Sequence, residues 1–259
     1  MRTSTSKHHL VRLSMFATII LVWQIISFFF PPAFIPGPFI VLGEVYKLFA
    51  DGSFFFHMYH TLVRVIVGFI WAFLVSLGLG IMMGVNRLAE RYFEEAILVG
   101  LTIPGLAWSI IALLWFGISD LAAWFAIFII IAPIITINVW QGTKALDKDL
   151  IEMGQAFQAS KPQIIFSIIL PQLVPYLFAA LRFGFALSWK VVVLSEMLGL
   201  SNGVGFMINY AFELFSMKLV LAWTVGFALV MLVLEMGIFK FFEKRLTSWR
   251  PEINLAATT

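Results

Sequence analysis

The sequence predicts an all-α membrane protein with six transmembrane helices and both termini in the cytoplasm. Three observations lead there. Hydrophobic residues make up 61% of the chain and charged residues only 12%, against roughly half and a quarter in an average soluble domain. Six apolar segments reach or approach the ~20 residues needed to cross ~30 Å of hydrocarbon. Lysines and arginines collect in alternate connections between those segments.

The first segment, residues 11–30, follows Arg2, Lys7 and Arg12, a layout shared with secretory signals. It is too long for one, and bulky residues and Pro31-Pro32 stand where a small-residue cleavage site belongs, so an uncleaved first span is expected. The remaining spans are residues 62–85, 93–116, 121–140, 168–200 and 219–242. Pro171 and Pro175 form an entry turn to the fifth, since proline suits the first turn of a helix. With the amino end inside, twelve of the seventeen basic residues are cytoplasmic: Arg2, Lys7, Arg12, Arg87, Arg91, Lys144, Lys148, Lys161, Lys240, Lys244, Arg245 and Arg250. That asymmetry is the positive-inside bias. A single domain over residues 1–259, with a cytoplasmic tail at about 243–259, accounts for the whole chain. Between the first two spans, Pro36-Gly37-Pro38 precedes an amphipathic stretch, residues 41–49, expected to be a short helix at the outer interface.

The chain has no cysteine, which excludes disulfides, cysteine-ligated zinc and iron–sulfur clusters. His57 and His60 are one helical turn apart but have no third ligand nearby in the sequence, so no metal site is predicted. In the second span Gly68, Ala72, Ser76, Gly80 and Gly84 recur every fourth residue. Such a stripe lets two backbones approach closely in lipid, and a helix-packing face is expected there.

Two regions hold chemistry. Residues 143–163, between the fourth and fifth spans, carry Lys144, Asp147, Lys148, Asp149, Glu152, Gln155, Gln158 and Lys161 around an apolar stripe of Ala145, Leu146, Leu150, Met153, Ala156 and Phe157. That periodicity predicts one or two short cytoplasmic helices resting on the bilayer or inserted into a partner. The fifth span carries Arg182, Trp189 and Glu196 at heptad spacing, with Lys190 about 80 degrees round. Ionisable groups at membrane depth usually face a bundle interior or a wet cavity, so these four are candidates to line or flank a pathway. Two roles stay open: a positive field from Arg182 and Lys190 attracting an anion, or interhelical pairing that holds the bundle together.

The polar segment resembles the signature of the inner-membrane permeases of binding-protein-dependent ABC importers. Glu152, Met153 and Gly154 open it, Gln158 stands where that family has glycine, and Ile168, Leu170 and Pro171 follow in register. Ala156-Phe157-Gln158-Ala159-Ser160 and residues 168–176 look most like the nitrate, sulfonate and taurine subgroup. The likeness extends over about residues 36–243, through His60-Thr61-Leu62-Val63-Arg64, Ile103-Pro104, residues 115–118, Ser195-Glu196-Met197 and Gly203-Val204-Gly205.

The resemblance implies a type I ABC importer permease fold in a bacterial inner membrane. It also implies a coupling helix made by Glu152, Met153, Gly154, Ala156, Phe157, Gln158, Ala159 and Ser160, docked on a separate ATPase. If the family glycine serves a left-handed turn, Gln158 there costs roughly 1 kcal/mol. Two ATPase subunits, a second copy of the permease and an external substrate-binding protein are the implied partners.

The chain contains no Gly-x-x-x-x-Gly-Lys-Ser/Thr loop. It is therefore expected to be non-catalytic and without a cofactor of its own, with ATP and Mg used by the partner. The implied substrate is a small organic or inorganic anion of sulfonate, taurine or nitrate type, with a thiamine precursor or another small nutrient as the alternative. A self-sufficient secondary transporter could use buried Arg182, Lys190 and Glu196 but has no use for a docking helix. An intramembrane protease is disfavoured, since His-Glu-x-x-His is missing and the four histidines, His8, His9, His57 and His60, all lie outside the expected spans.

Overall fold

The computed structural model describes residues 3–235 and 237, with residues 3–13 described by their backbone alone. The end of the last expected span beyond residue 237, the tail at 243–259, and the basic residues Arg2, Lys240, Lys244, Arg245 and Arg250 lie outside the described residues. All secondary structure among the described residues is helical. The helices are α1 (Thr3–Phe28), α2 (Pro38–Ala50), α3 (Ser53–Val85), α4 (Arg87–Thr102), α5 (Gly105–Phe116) and α6 (Asp120–Lys144). They continue with α7 (Lys148–Ala156), α8 (Lys161–Ile164), a π-helical turn (Ile165–Ile169), α9 (Leu170–Gly199), α10 (Val204–Glu213) and α11 (Met217–Leu234).

By length and composition four helical runs can cross a bilayer: α3, α6, Lys161–Gly199 and α11. A fifth crossing results if α4 and α5 count as one bent span, and α1 adds the shorter apolar stretch Ser14–Phe28. The expected single span 93–116 is two helices meeting at 96°. Pro104 explains the break. It has no N–H to continue the ladder, and it drives the preceding Ile103 into extended geometry, φ −76° and ψ 126°.

Helix α3 begins at Ser53, well before the expected start at 62. Hydropathy falls at His57, His60 and Thr61, but Phe54, Met58, Thr61 and Val65 are all buried on one helical face. Entry to the fifth span also differs from the expectation. The helix does not start afresh at Pro171 but runs from Lys161 through the π turn. Proline at 171 cannot donate to the carbonyl of Ser167 and would press against it. The widened turn takes up that misfit, and Leu170 N–H bonds to the Ile165 carbonyl instead.

Helix α6 lies at the centre, packed against α3 on one side and α9 on the other. The small-residue stripe of α3 faces it. A Cβ on Gly80 would lie 2.6 Å from Val139 Cβ, one on Gly68 2.8 Å from Ile127 Cδ1, and one on Gly84 would strike Thr143. Ala72 and Ser76 are fully buried, and Ser76 Oγ donates to the Ala132 carbonyl at 2.9 Å. These contacts bring two backbones close enough for dispersion to act where lipid supplies no hydrophobic drive. Half of the α6 membrane window is buried within the chain but only 17% of the windows in the α9 run and α11, where the rest is a mixture of partly buried and exposed residues.

Candidate functional site

Two polar regions stand at opposite ends of the helix bundle. The first is α7 with its flanking turns. Asp147 caps the helix, its Oδ1 accepting from the N–H groups of Asp149 at 2.9 Å and Leu150 at 3.3 Å. Its own N–H donates to Gln172 Oε1 at 2.9 Å, tying α7 to the start of α9. Gly154 is buried against the segment that follows, where an added Cβ would lie 2.8 Å from Ile168 Cδ1.

The far end of α7 is closed by a paired C-terminal turn. Ala159 N–H reaches the Gly154 carbonyl at 3.0 Å and Gln158 N–H the Gln155 carbonyl at 2.9 Å, with Gln158 at φ 55°. This is a Schellman motif with a left-handed residue where glycine is preferred. Ser160 N–H and Oγ then both bond to Gln163 Oε1, at 2.8 and 2.9 Å, capping α8.

Held at both ends, α7 turns its remaining side chains outward. Glu152, Leu150, Met153 and Ala156 are exposed, and Phe157 is 80% exposed. A fixed helix with a carboxylate amid uncovered apolar side chains can dock on another protein surface.

The second region is a buried charge network at the Ser53 end of α3. Arg64 is 3% exposed and uses all three side-chain nitrogens. Nε donates to Asp120 Oδ1 at 2.7 Å, and Nη1 donates to Glu196 Oε1 at 2.8 Å and to the Asn202 carbonyl at 2.7 Å. Nη2 donates to Asn202 Oδ1.

Glu196, 1% exposed, accepts in addition from Thr61 Oγ1 at 2.9 Å and from Gly205 N–H at 2.9 Å. Thr61 Oγ1 accepts from Val204 N–H at 2.8 Å, and His57 Nδ1 from Gly203 N–H at 3.1 Å. The turn after α9 is thus sewn onto α3 by its backbone amides. Gly203, at φ 111°, is required there, because a Cβ would run into the Glu196 carboxylate. A buried ion pair is retained only when its lone pairs and protons are satisfied, and this one is.

The four residues expected to line a pathway separate into two pairs. Trp189 and Glu196 are buried within the chain, each 1% exposed. Arg182 and Lys190 are exposed, and Arg182 Nη2 lies 3.3 Å from Oε1 of Glu235, the residue that follows α11. A heptad repeat drifts only ~20° per seven residues on a straight helix, so the three stay near one face, and their place along α9 rather than helical phase separates Arg182 from buried Trp189 and Glu196. His57 and His60 both contact Phe56 edge-on, and His57 also packs on Trp223 and Phe206. Among the described residues no three ligand-type side chains come together as a metal site would need.

Sequence reasoning singled out Glu196 but not the hub it serves. Arg64, Thr61, Asp120 and Asn202 had no assigned role. The available signal was the joint presence of a Thr-x-x-Arg pair, an intramembrane Glu and Gly203-Val204-Gly205; the structure brings them together.

Residues 76–248 match the family described as binding-protein-dependent transport system inner membrane component. The chain is 27% identical to the taurine transport system permease protein TauC of Escherichia coli, over 92% of this chain and 88% of that one. It is 34% identical to the nitrate import permease protein NrtB of a Synechocystis species, over 76% and 74%. Among solved structures, a chain of the MetNI methionine ABC transporter in inward-facing conformation superposes with a TM-score of 0.60 at 22% identity. That superposition covers 74% of this chain and 93% of that one.

Proposed function

This chain belongs to the binding-protein-dependent transport system inner membrane components, and from that premise we propose that it conducts a small anion and is driven through α7 by a separate ATPase. It is a multi-pass membrane permease component of an ABC importer and not its catalytic subunit. On our reading a second copy completes the pathway, two ATPase subunits bind below, and an external binding protein delivers substrate. ATP and Mg are used by the ATPase alone. The chain forms one domain of six spans, with α1 as the first and both termini inside, consistent with basic residues gathering at the α7 end.

The observation that carries the coupling proposal is the uncovered face of α7. Phe157, Met153 and Leu150 are exposed on a helix immobilised by its caps, with Glu152 among them. Large aromatic side chains entering a partner pocket dominate binding energy, and a carboxylate beside them can meet a basic residue across the interface. Gly154, Ala156, Gln158, Ala159 and Ser160 shape the turn that presents them. Copurification tests it: the ATPase subunit should accompany the wild type and be lost from the Glu152→Ala, Phe157→Ala variant. Retention by that variant would defeat the proposal.

An anion of sulfonate, taurine or nitrate type is proposed as substrate because TauC and NrtB, named for taurine and nitrate, are relatives at 27% and 34% identity. On this reading exposed Arg182 and Lys190 of α9 supply positive charge, Arg182 beside its partner Glu235. Trp189 and Glu196 shape that helix from behind. Arg182→Gln should impair uptake of the anion while assembly is preserved, and unchanged anion uptake would remove Arg182 from the pathway.

A further inference from the structure

A cleft of about 720 Å³ opens between the α3–α4 corner and the α6–α7 corner, lined in part by Arg87, Arg91, Lys144, Lys148, Glu90 and Glu94. We propose that it seats the phosphate headgroup of an anionic phospholipid. Its volume lies within the range of small-ligand sites. Arg87 and Arg91 are one helical turn apart on α4, while Lys144 ends α6 and Lys148 begins α7, so three helices converge with four cations on one space.

The charges do not cancel. Glu90 is taken by Lys144, with Nζ 2.6 Å from Oε1, and the same Nζ lies 5.2 Å from the centre of the Trp140 ring. Glu94 offsets one more cation, which leaves two in excess on the lining. Of the nearby acids outside the lining, Asp147 is engaged in capping α7, and Asp149 and Glu95 are exposed on their helices. A phosphodiester, with one negative charge and acceptor oxygens on two sides, matches a site where arginines approach from one wall and lysines from the other.

A lipid fits better than a free anion because of what borders the cleft. Val85 and Leu88 are each 77% exposed and Tyr92 76% exposed, on the same corner that carries Arg87 and Arg91. An uncovered apolar shelf continuous with a basic cleft, at the end of a membrane-crossing helix, accepts acyl chains and headgroup together. Basic pockets between transmembrane helices on the cytoplasmic side hold anionic headgroups in this way. Because Leu146, Lys148 and Ile151 line the same cleft, the bound lipid would brace α7 against α3 and α4.

The test measures binding of phosphatidylglycerol and phosphatidylcholine to the purified chain by native mass spectrometry. A preference of tenfold or so for phosphatidylglycerol is expected. It should be lost in Arg91→Gln, Lys148→Gln and kept in Lys161→Gln, which lies outside the lining. Equal binding of the two lipids, or full phosphatidylglycerol binding by the double variant, would overturn the proposal. So would displacement of the lipid by millimolar inorganic phosphate, which would mark a free-anion site. Should the double variant fail to fold, a photoreactive phosphatidylglycerol on the wild type decides. Label within residues 84–94 and 143–151 supports the seat, and label confined elsewhere refutes it.

Discussion

At the Ser53 end of α3, Arg64 is 3% exposed and all three of its nitrogens are engaged, while on α7 Phe157 is 80% exposed and Glu152 is exposed beside it. Both regions are polar interruptions in an apolar chain, yet they solve opposite problems. The first satisfies the buried Arg64 and Glu196 with partners from the same chain and fixes the α9–α10 turn to α3. The second satisfies its backbone with caps and leaves its side chains to something outside. Internal satisfaction marks a scaffold, and a rigid frame with unmet side chains marks an interface.

The largest effect that follows belongs to the scaffold. Glu196→Ala removes the fully buried carboxylate from Arg64, leaving the guanidinium only the half-exposed Asp120 and Asn202, and should cost about 3 kcal/mol. Thermal denaturation in detergent would register this as a large fall in Tm. Converting both Arg64 and Glu196 to apolar residues should cost less than the sum of the two single changes, because the one carboxylate left without its partner, Asp120, is half exposed. Strict additivity would break the contrast drawn above.

Next in size is the contact between α3 and α6. Gly80→Val places methyl groups where Val139 already lies 2.6 Å from an added Cβ, and should cost about 1–3 kcal/mol. Gly78→Val, where an added Cβ meets nothing within 4 Å, is the control.

A smaller gain is expected at Gln158. Its φ of 55° suits glycine better, so Gln158→Gly should stabilise the α7 turn by about 1 kcal/mol. It should also leave ATPase binding intact, as the exposed side chains keep their frame.

The smallest effect concerns pH. Glu44 lies between Lys47 at 3.1 Å and Lys218 at 3.4 Å, linking α2 to α11. The hydrogen bond from Lys47 leads the effects that hold its carboxyl below the usual range. A carboxyl depressed in the folded state stabilises above its unfolded pKa, and that contribution is lost as pH falls through the folded value. Glu44→Gln should therefore flatten the acid limb of the stability profile slightly, read as Tm against pH.

Much of this was legible in the sequence. The four-residue spacing of Gly68 to Gly84 announced the α3 face that meets α6, and the sudden polarity after Gly142 announced α7. The left-handed turn was legible only through the register of the family signature, which puts a glycine position at Gln158. Hydropathy missed what geometry decides. The bend at Pro104 sits inside an unbroken apolar run, and α3 starts at Ser53 because burial of Phe54 and Met58 outweighs the polarity of their neighbours. The Arg64–Glu196 pair joins residues 132 positions apart, a relation that no local period encodes.

If α7 is an interface and the Arg64 network a scaffold, a change on α7 alters partner binding without altering stability. The amount of ATPase subunit retained on Phe157→Ala, relative to wild type, should fall at least about tenfold while Tm stays unchanged. Full retention of the ATPase by Phe157→Ala at unchanged Tm would mean that α7 is not the surface on which the ATPase docks.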